Sequence, residues 1–131
     1  MRVVIDTSVW SLALRKRGPA DHAQVKRLRE FMGREDLAIT GTILQEVLQT
    51  YREEQTVAEV MRYLAPYRLL ELDRAICSEA ARIFRQCASR GLTASTIDCQ
   101  IAAAAIGHDH KLLSADADFE RIATVCDLDL L

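Results

Sequence analysis

The stretch Arg2-Val3-Val4-Ile5-Asp6-Thr7-Ser8 constrains this chain more than any other. Val3, Val4 and Ile5 form an unbroken β-branched run with no polar residue to turn toward water. Such a run reads as a strand buried on both faces, as in the middle of a parallel sheet. The Asp-Thr-Ser behind it reads as the strand's exit turn and the cap of a helix. An acid at the carboxyl end of a central strand stands where open α/β sheets place their ligands. Capping alone would also explain Asp6, so other acids have to decide between the two readings.

The pattern continues as strands alternating with helices. Val9, Trp10, Leu12, Ala13 and Leu14 predict a short helix from Ser8 to about Gly18, stopped by Gly18-Pro19. A second helix is expected from Ala20 to Gly33, with Val25, Leu28, Phe31 and Met32 on its apolar face. Leu37–Thr40 reads as a second strand, Thr42–Arg52 and Gln55–Leu64 as helices, and Arg68–Leu72 as a third strand. Asp73 should cap a long helix reaching Ser89, and Ser95 should cap Thr96–Ile106. That last helix is apolar nearly all round, so it is expected to be buried. Lys111–Ser114 reads as a fourth strand, Asp116–Phe119 as the opening of a short helix, and Ala123–Cys126 as a final strand. The alternation predicts an α/β fold: one domain over residues 1–131, with a mostly parallel central sheet of four to five strands flanked by helices.

Half of the 131 residues are hydrophobic and 27% are charged, ordinary for a soluble globular domain. Asp6 interrupts the N-terminal apolar run too early for a signal peptide, and no stretch approaches the length of a membrane span, so a cytoplasmic protein is expected. Cys77, Cys87, Cys99 and Cys126 are widely spaced, with no CxxC pair and no nearby His. They read as small buried hydrophobes, neither a zinc site nor a disulfide framework. Net charge is only −2, but it is unevenly placed. Between Arg15 and Arg34, seven cations face Asp21 and Glu30, a local +5 on an otherwise acidic chain. Arg15, Arg17, Arg27 and Arg29 in this segment are suited to phosphate or to a partner's carboxylates, and a solvated helix face is the competing use.

Connectivity brings acids to one place. Asp6 ends the first strand, and Asp116 follows the fourth by two residues. The helix before the fourth strand runs antiparallel to it, so its start, with Asp98, returns to the same edge. Asp98 is also the one charged residue on a helix otherwise dressed for burial. Glu46 points away from the Ile43/Val47/Tyr51 stripe, and periodicity alone makes it a surface residue; only its place, shortly after the second strand, favours it. Asp118 lies near the edge but is equally suited to a first-turn helix acid. Clustered carboxylates repel one another unless a cation or protonation relieves them. An all-oxygen set with no thiol or imidazole beside it favours Mg²⁺ or Mn²⁺, ions that activate water and steady charge at a phosphodiester. His108 and His110 fall at the opposite edge and His22 in the basic segment, which argues against a paired-histidine nuclease.

Val4-Ile5-Asp6-Thr7-Ser8, Leu44-Gln45-Glu46-Val47, Thr96-Ile97-Asp98 with Ile101-Ala102-Ala103, and Leu113-Ser114-Ala115-Asp116-Ala117-Asp118-Phe119 together resemble the successive motifs of PIN-domain ribonucleases. The size and layout resemble the VapC-type toxins of bacterial and archaeal toxin–antitoxin pairs. The resemblance implies a metal-dependent endoribonuclease of RNA, a homodimer, restrained by a small VapB-like antitoxin. It implies Asp6, Glu46, Asp98 and Asp116 as the catalytic and metal-binding acids. Thr7, Ser8, Thr96 and Ser114 would be near-site hydroxyls and Asp118 a secondary acid. Ser114 stands where the family often has Thr, which keeps the hydroxyl. An inactive PIN-fold binding module is the alternative. An aspartyl-phosphate phosphatase would need an acid where Ser8 stands, and a phospho-receiver domain would need an acidic pair ending the first strand and a phosphorylatable Asp ending the third.

Overall fold

The computed structural model describes residues 1–15 and 22–131. Four strands, β1 (Arg2–Ile5), β2 (Asp36–Thr40), β3 (Arg68–Leu70) and β4 (Lys111–Leu113), form a sheet in the order β3-β2-β1-β4. Every pairing is parallel. The β-branched run therefore occupies an interior strand, and Val3, Val4 and Ile5 are completely buried. Around the sheet lie α1 (Thr7–Ala13), α2 (Ala23–Phe31), α3 (Gly41–Leu48), α4 (Glu54–Leu64), α5 (Arg74–Ser89), α6 (Thr96–Gly107) and α7 (Asp118–Ile122).

The strand order decides where a ligand would sit. From β1 the chain winds outward through β2 to β3, then returns to place β4 on the other side of β1. That reversal opens a crevice between the carboxyl ends of β1 and β4. The ladder there runs one residue past β1: the Asp6 N–H donates to the Leu113 carbonyl at 3.0 Å.

Local chemistry sets the helix ends. Asp73 and Ser95 cap α5 and α6 as the sequence anticipates, each accepting an N–H three residues on. The first helix is shorter than expected and closes at Leu14, because Arg15 is exposed and offers no further apolar side chain to bury. The expected Gly18-Pro19 stop lies outside the described residues. The second helix starts at Ala23, with the His22 imidazole as cap, and ends at Phe31, two residues short of Gly33, whose φ of +77° suits glycine; the expected start at Ala20 lies outside the described residues. The third ends at Leu48, four residues short of Arg52. Its apolar neighbour α6 is as buried as its sequence implies: Ile101 and Ala102–Ala105 are enclosed between the sheet and α5. The fit to α5 is tight, since a Cβ on Gly107 would come within 3.0 Å of Ile76 Cγ1.

Two expectations fail. Ala123–Cys126 is not a strand; Thr124 Oγ1 donates to the Arg121 carbonyl and Cys126 Sγ to that of Ile122, which folds the segment into turns. The chain meets β4 later, through a single parallel bridge between Leu112 and Leu130. The cysteines are not uniformly buried either: Cys87 and Cys99 are, Cys126 is intermediate, and Cys77 is exposed in the cleft between α5 and α6. Among the described residues no helix is long and apolar enough to cross a membrane.

Candidate metal centre at the β1–β4 crevice

Asp6 does two jobs at once. Its carboxylate caps α1 and is only 4% exposed. Oδ2 accepts from Ser8 Oγ at 2.6 Å, Ser114 Oγ at 2.9 Å and the Ser8 N–H at 3.3 Å. All three bonds fall on one oxygen, which leaves Oδ1 without a donor among the described residues. Both serine protons are committed to Asp6, so the 3.3 Å approach of the two hydroxyls is a contact and not a third bond. The hydroxyls then accept in turn: Ser8 Oγ takes the Ala115 N–H at 2.9 Å, and Ser114 Oγ the Asp116 N–H at 3.0 Å. Ser8, where an aspartyl-phosphate phosphatase would need an acid, is thus a donor that fixes Asp6.

Three further carboxylates meet in front of this network. One oxygen from each of Asp98, Asp116 and Asp118 lies within 4.8 Å of the other two. Asp98 comes from the first turn of α6, which Ser95 caps. Asp116 Oδ1 accepts the Asp118 N–H at 2.9 Å, an Asx turn that folds both acids into one corner. Asp118 also pairs with Arg121 one turn along α7. The crowding shows in Asp98, whose carboxyl is pushed up to about 6. Burial is the main cause and the Asp6 charge the next; the Ser95 hydroxyl opposes them, and Asp116 and Asp118 add to them.

Glu46 sits to one side. Its Oε1 accepts the Thr7 hydroxyl at 2.8 Å, so α3 delivers it to the residue after Asp6 and not into the tight group. The structure thus brings Asp98 and Asp116 together, links Asp6 to the same loop through Ser114, and holds Glu46 apart on Thr7. Asp118, a secondary acid by sequence, is a full member of the group. Thr96 opens α6 on the exposed wall of the cleft between α5 and α6, lined also by Phe84 and Cys99.

The basic residues divide. Arg15 lines the cleft between α1 and α4, beside Tyr51 and Glu59. The Arg27 guanidinium lies 6.0 Å from the centre of the Phe31 ring, and Arg29 stands in the last turn of α2. Arg17 lies outside the described residues. Sequence reasoning missed Gln24, whose Nε2 donates to the Ser114 carbonyl at 2.8 Å and brings the start of α2 to the acidic edge. His108 and His110 stand at the other end of the sheet, near Arg2.

The four acids and their hydroxyl partners arise from sequence motifs in a fixed order, and a family model for the PIN domain matches residues 3–125. Ribonuclease VapC11 of Mycobacterium tuberculosis is 34% identical over 129 residues, covering 96% of this chain and 95% of that protein. The chain belongs to the PIN-domain family, among the VapC ribonucleases. The VapC ribonuclease Mb1587 of Mycobacterium bovis matches to the same extent, at 34% identity. The fold also recurs in solved structures. VapBC2 from Rickettsia felis, bound to a DNA fragment from its promoter, superposes with a TM-score of 0.81 at 17% identity, covering 100% of this chain and 98% of that one. Mycobacterium tuberculosis VapC20, a sarcin–ricin loop cleaving toxin, gives 0.70 at 18% identity, covering 96% and 98%.

Proposed function

We propose that this VapC-family protein is a Mg²⁺- or Mn²⁺-dependent endoribonuclease, the toxin of a cytoplasmic toxin–antitoxin pair, held in check by a small VapB-like antitoxin and acting as a homodimer. The observation that carries the metal site is the approach of the Asp98, Asp116 and Asp118 oxygens to within 4.8 Å of one another. The donor set fits a hard divalent cation: every candidate ligand is a carboxylate oxygen, and burial, with the Asp6 charge next, already holds Asp98 up at about 6. Asp98, Asp116 and Asp118 would hold the ion, and Asp6, whose Oδ1 accepts no hydrogen bond among the described residues, would be a further ligand. Such an ion, when bound, would activate water and offset charge on the phosphodiester.

The protein's own residues prepare the site. Ser8 and Ser114 hold Asp6 in one orientation and keep its second oxygen clear. Thr7 fixes Glu46 beside the crevice, where its carboxylate can orient a water or a second ion. The basic face of α2 begins at this edge and offers long-range attraction to an RNA backbone. The relatives' names supply the substrate class: the curated ones are ribonucleases, and structural neighbours are toxin–antitoxin complexes.

Cleavage of a structured RNA by the purified protein, in Mg²⁺, Mn²⁺ or EDTA, tests this. Cleavage should stop in EDTA, and Asp116→Asn should reduce it by more than about a hundredfold, since losing a group that only orients a ligand already costs about 10–100-fold. Undiminished cleavage in either case would sink the proposal.

A further inference from the structure

The peptide group joining Ser114 to Ala115 lies just past the end of β4, where the ladder to β1 has finished. Its N–H is held by Ser8 Oγ at 2.9 Å, a group from α1. Its carbonyl is held by Gln24 Nε2 at 2.8 Å, a group from α2 ninety residues earlier. Gln24 is itself fixed at the backbone, because its N–H donates to His22 Nδ1 at 3.1 Å in the cap of α2. Both polar ends of one peptide plane are therefore tied, from two different helices. That plane sets the direction in which the chain leaves β4, and so the place of Asp116 and, through the Asx turn, of Asp118.

We propose that Gln24 is a positioning residue of the metal site: its side-chain amide fixes the Ser114–Ala115 peptide and thereby holds Asp116 and Asp118 in register with Asp98. The proposal rests on the reading that these acids bind a divalent ion. Losing the amide leaves the peptide anchored at its N–H alone, free to rock about that bond, and the two aspartates move with it. Groups that orient ligands without touching the ion are worth 10–100-fold in metal affinity, which sets the expected effect. The same bond ties the basic helix to the acidic loop, so α2 and the site shift together.

The test is Gln24→Met, which keeps an unbranched chain of similar length and removes the donor. Calorimetric titration with Mn²⁺ alone should show affinity weakened by about ten- to a hundredfold. Half-maximal RNA cleavage should need correspondingly more Mn²⁺, while the KM for RNA at saturating metal stays at the parent value. The Asp116 and Asp118 amides should exchange faster with solvent. Gln24→Asn, which keeps the amide but is one methylene too short, should behave alike and serves if Gln24→Met does not fold. Unchanged Mn²⁺ affinity with only a lower melting temperature would reduce the bond to a structural one and overturn the proposal. A raised KM at saturating metal would make Gln24 a substrate contact, with the same consequence. Asp98→Asn separates the two layers: if it binds Mn²⁺ as the parent does, the metal reading itself fails; if it does not, while Gln24→Met binds normally, only this inference fails.

Discussion

Removing the Asp98 charge should stabilise the protein without metal and destabilise it with metal, relative to the parent. A carboxyl titrating at about 6 instead of 3.8 is disfavoured as an anion by at most about 3 kcal/mol. Asp98 is only partly enclosed, and solvent screening brings this to about 1.5 kcal/mol. The sign follows from proton binding. The folded state holds this proton more tightly than the unfolded one, so stability is greatest below pH 3.8 and is lost as the pH rises through about 6. Asp98→Asn removes the charge at nearly constant volume. In EDTA at pH 7.5 it should melt about 4–6 °C above the parent, given the few degrees per kcal/mol typical of domains this size. Near pH 4 the two melts should converge. With Mn²⁺ at about a hundred times its dissociation constant, the parent should gain about 2.7 kcal/mol, most of which the variant lacks. Its advantage then reverses. The assay is thermal unfolding by circular dichroism over this pH range, with and without Mn²⁺. A variant that melts below the parent in EDTA at pH 7.5, or above it by a margin indifferent to pH, would refute the claim that burial and acidic neighbours disfavour the Asp98 anion.

His110 is buried with its Nε2 unpartnered among the described residues, and burial lowers its pKa below 6.5, only partly offset by the His108 carbonyl at Nδ1. Its neutral form stabilises the fold above pH 6.5, and that contribution is lost on acidification below it, so His110→Gln should lose less stability than the parent between pH 7 and 5; parallel melting curves against pH would contradict this. Arg27→Glu with Arg29→Glu should weaken RNA binding and flatten its dependence on salt, by about 0.7 in log–log slope for each lost contact to single-stranded phosphate. Mn²⁺ affinity should stay unchanged, and an unaltered salt slope would assign this face to a protein partner or to solvent.

The order of elements was legible because each signal was local and redundant. The Val3–Ile5 run, the caps at Asp73 and Ser95, and the all-round apolarity of α6 each required one answer, and topology then brought Asp6, Asp98 and Asp116 to one edge. What the pattern misread or left undecided came from residues whose partners are polar and specific. Ala123–Cys126 has the composition of a strand, yet Thr124 and Cys126 hydrogen-bond back to carbonyls three and four residues earlier, and that local bonding displaces the ladder. Asp118 is a helix-opening acid by pattern, and only the Asx turn from Asp116 makes it part of the group. Gln24 left no trace in the pattern, because its partner lies ninety residues away and a glutamine on a solvated helix face is unremarkable.

Glu46 shows where pattern and geometry agree while seeming to conflict. The helical wheel takes it away from the core stripe of α3, and the structure keeps it there: it is half-exposed and turned to Thr7, not to Ile43 or Val47. A side chain that faces neither the core nor open solvent is free to be held by its tip alone. Thr7 is the residue after the most constrained acid in the chain, and it supplies that hold at 2.8 Å. The same turn thus grips two carboxylates, Asp6 through Ser8 and Glu46 through Thr7. A hydroxyl pair behind the first strand is therefore more than a helix start: it fixes two acids, Asp6 and Glu46, from one turn.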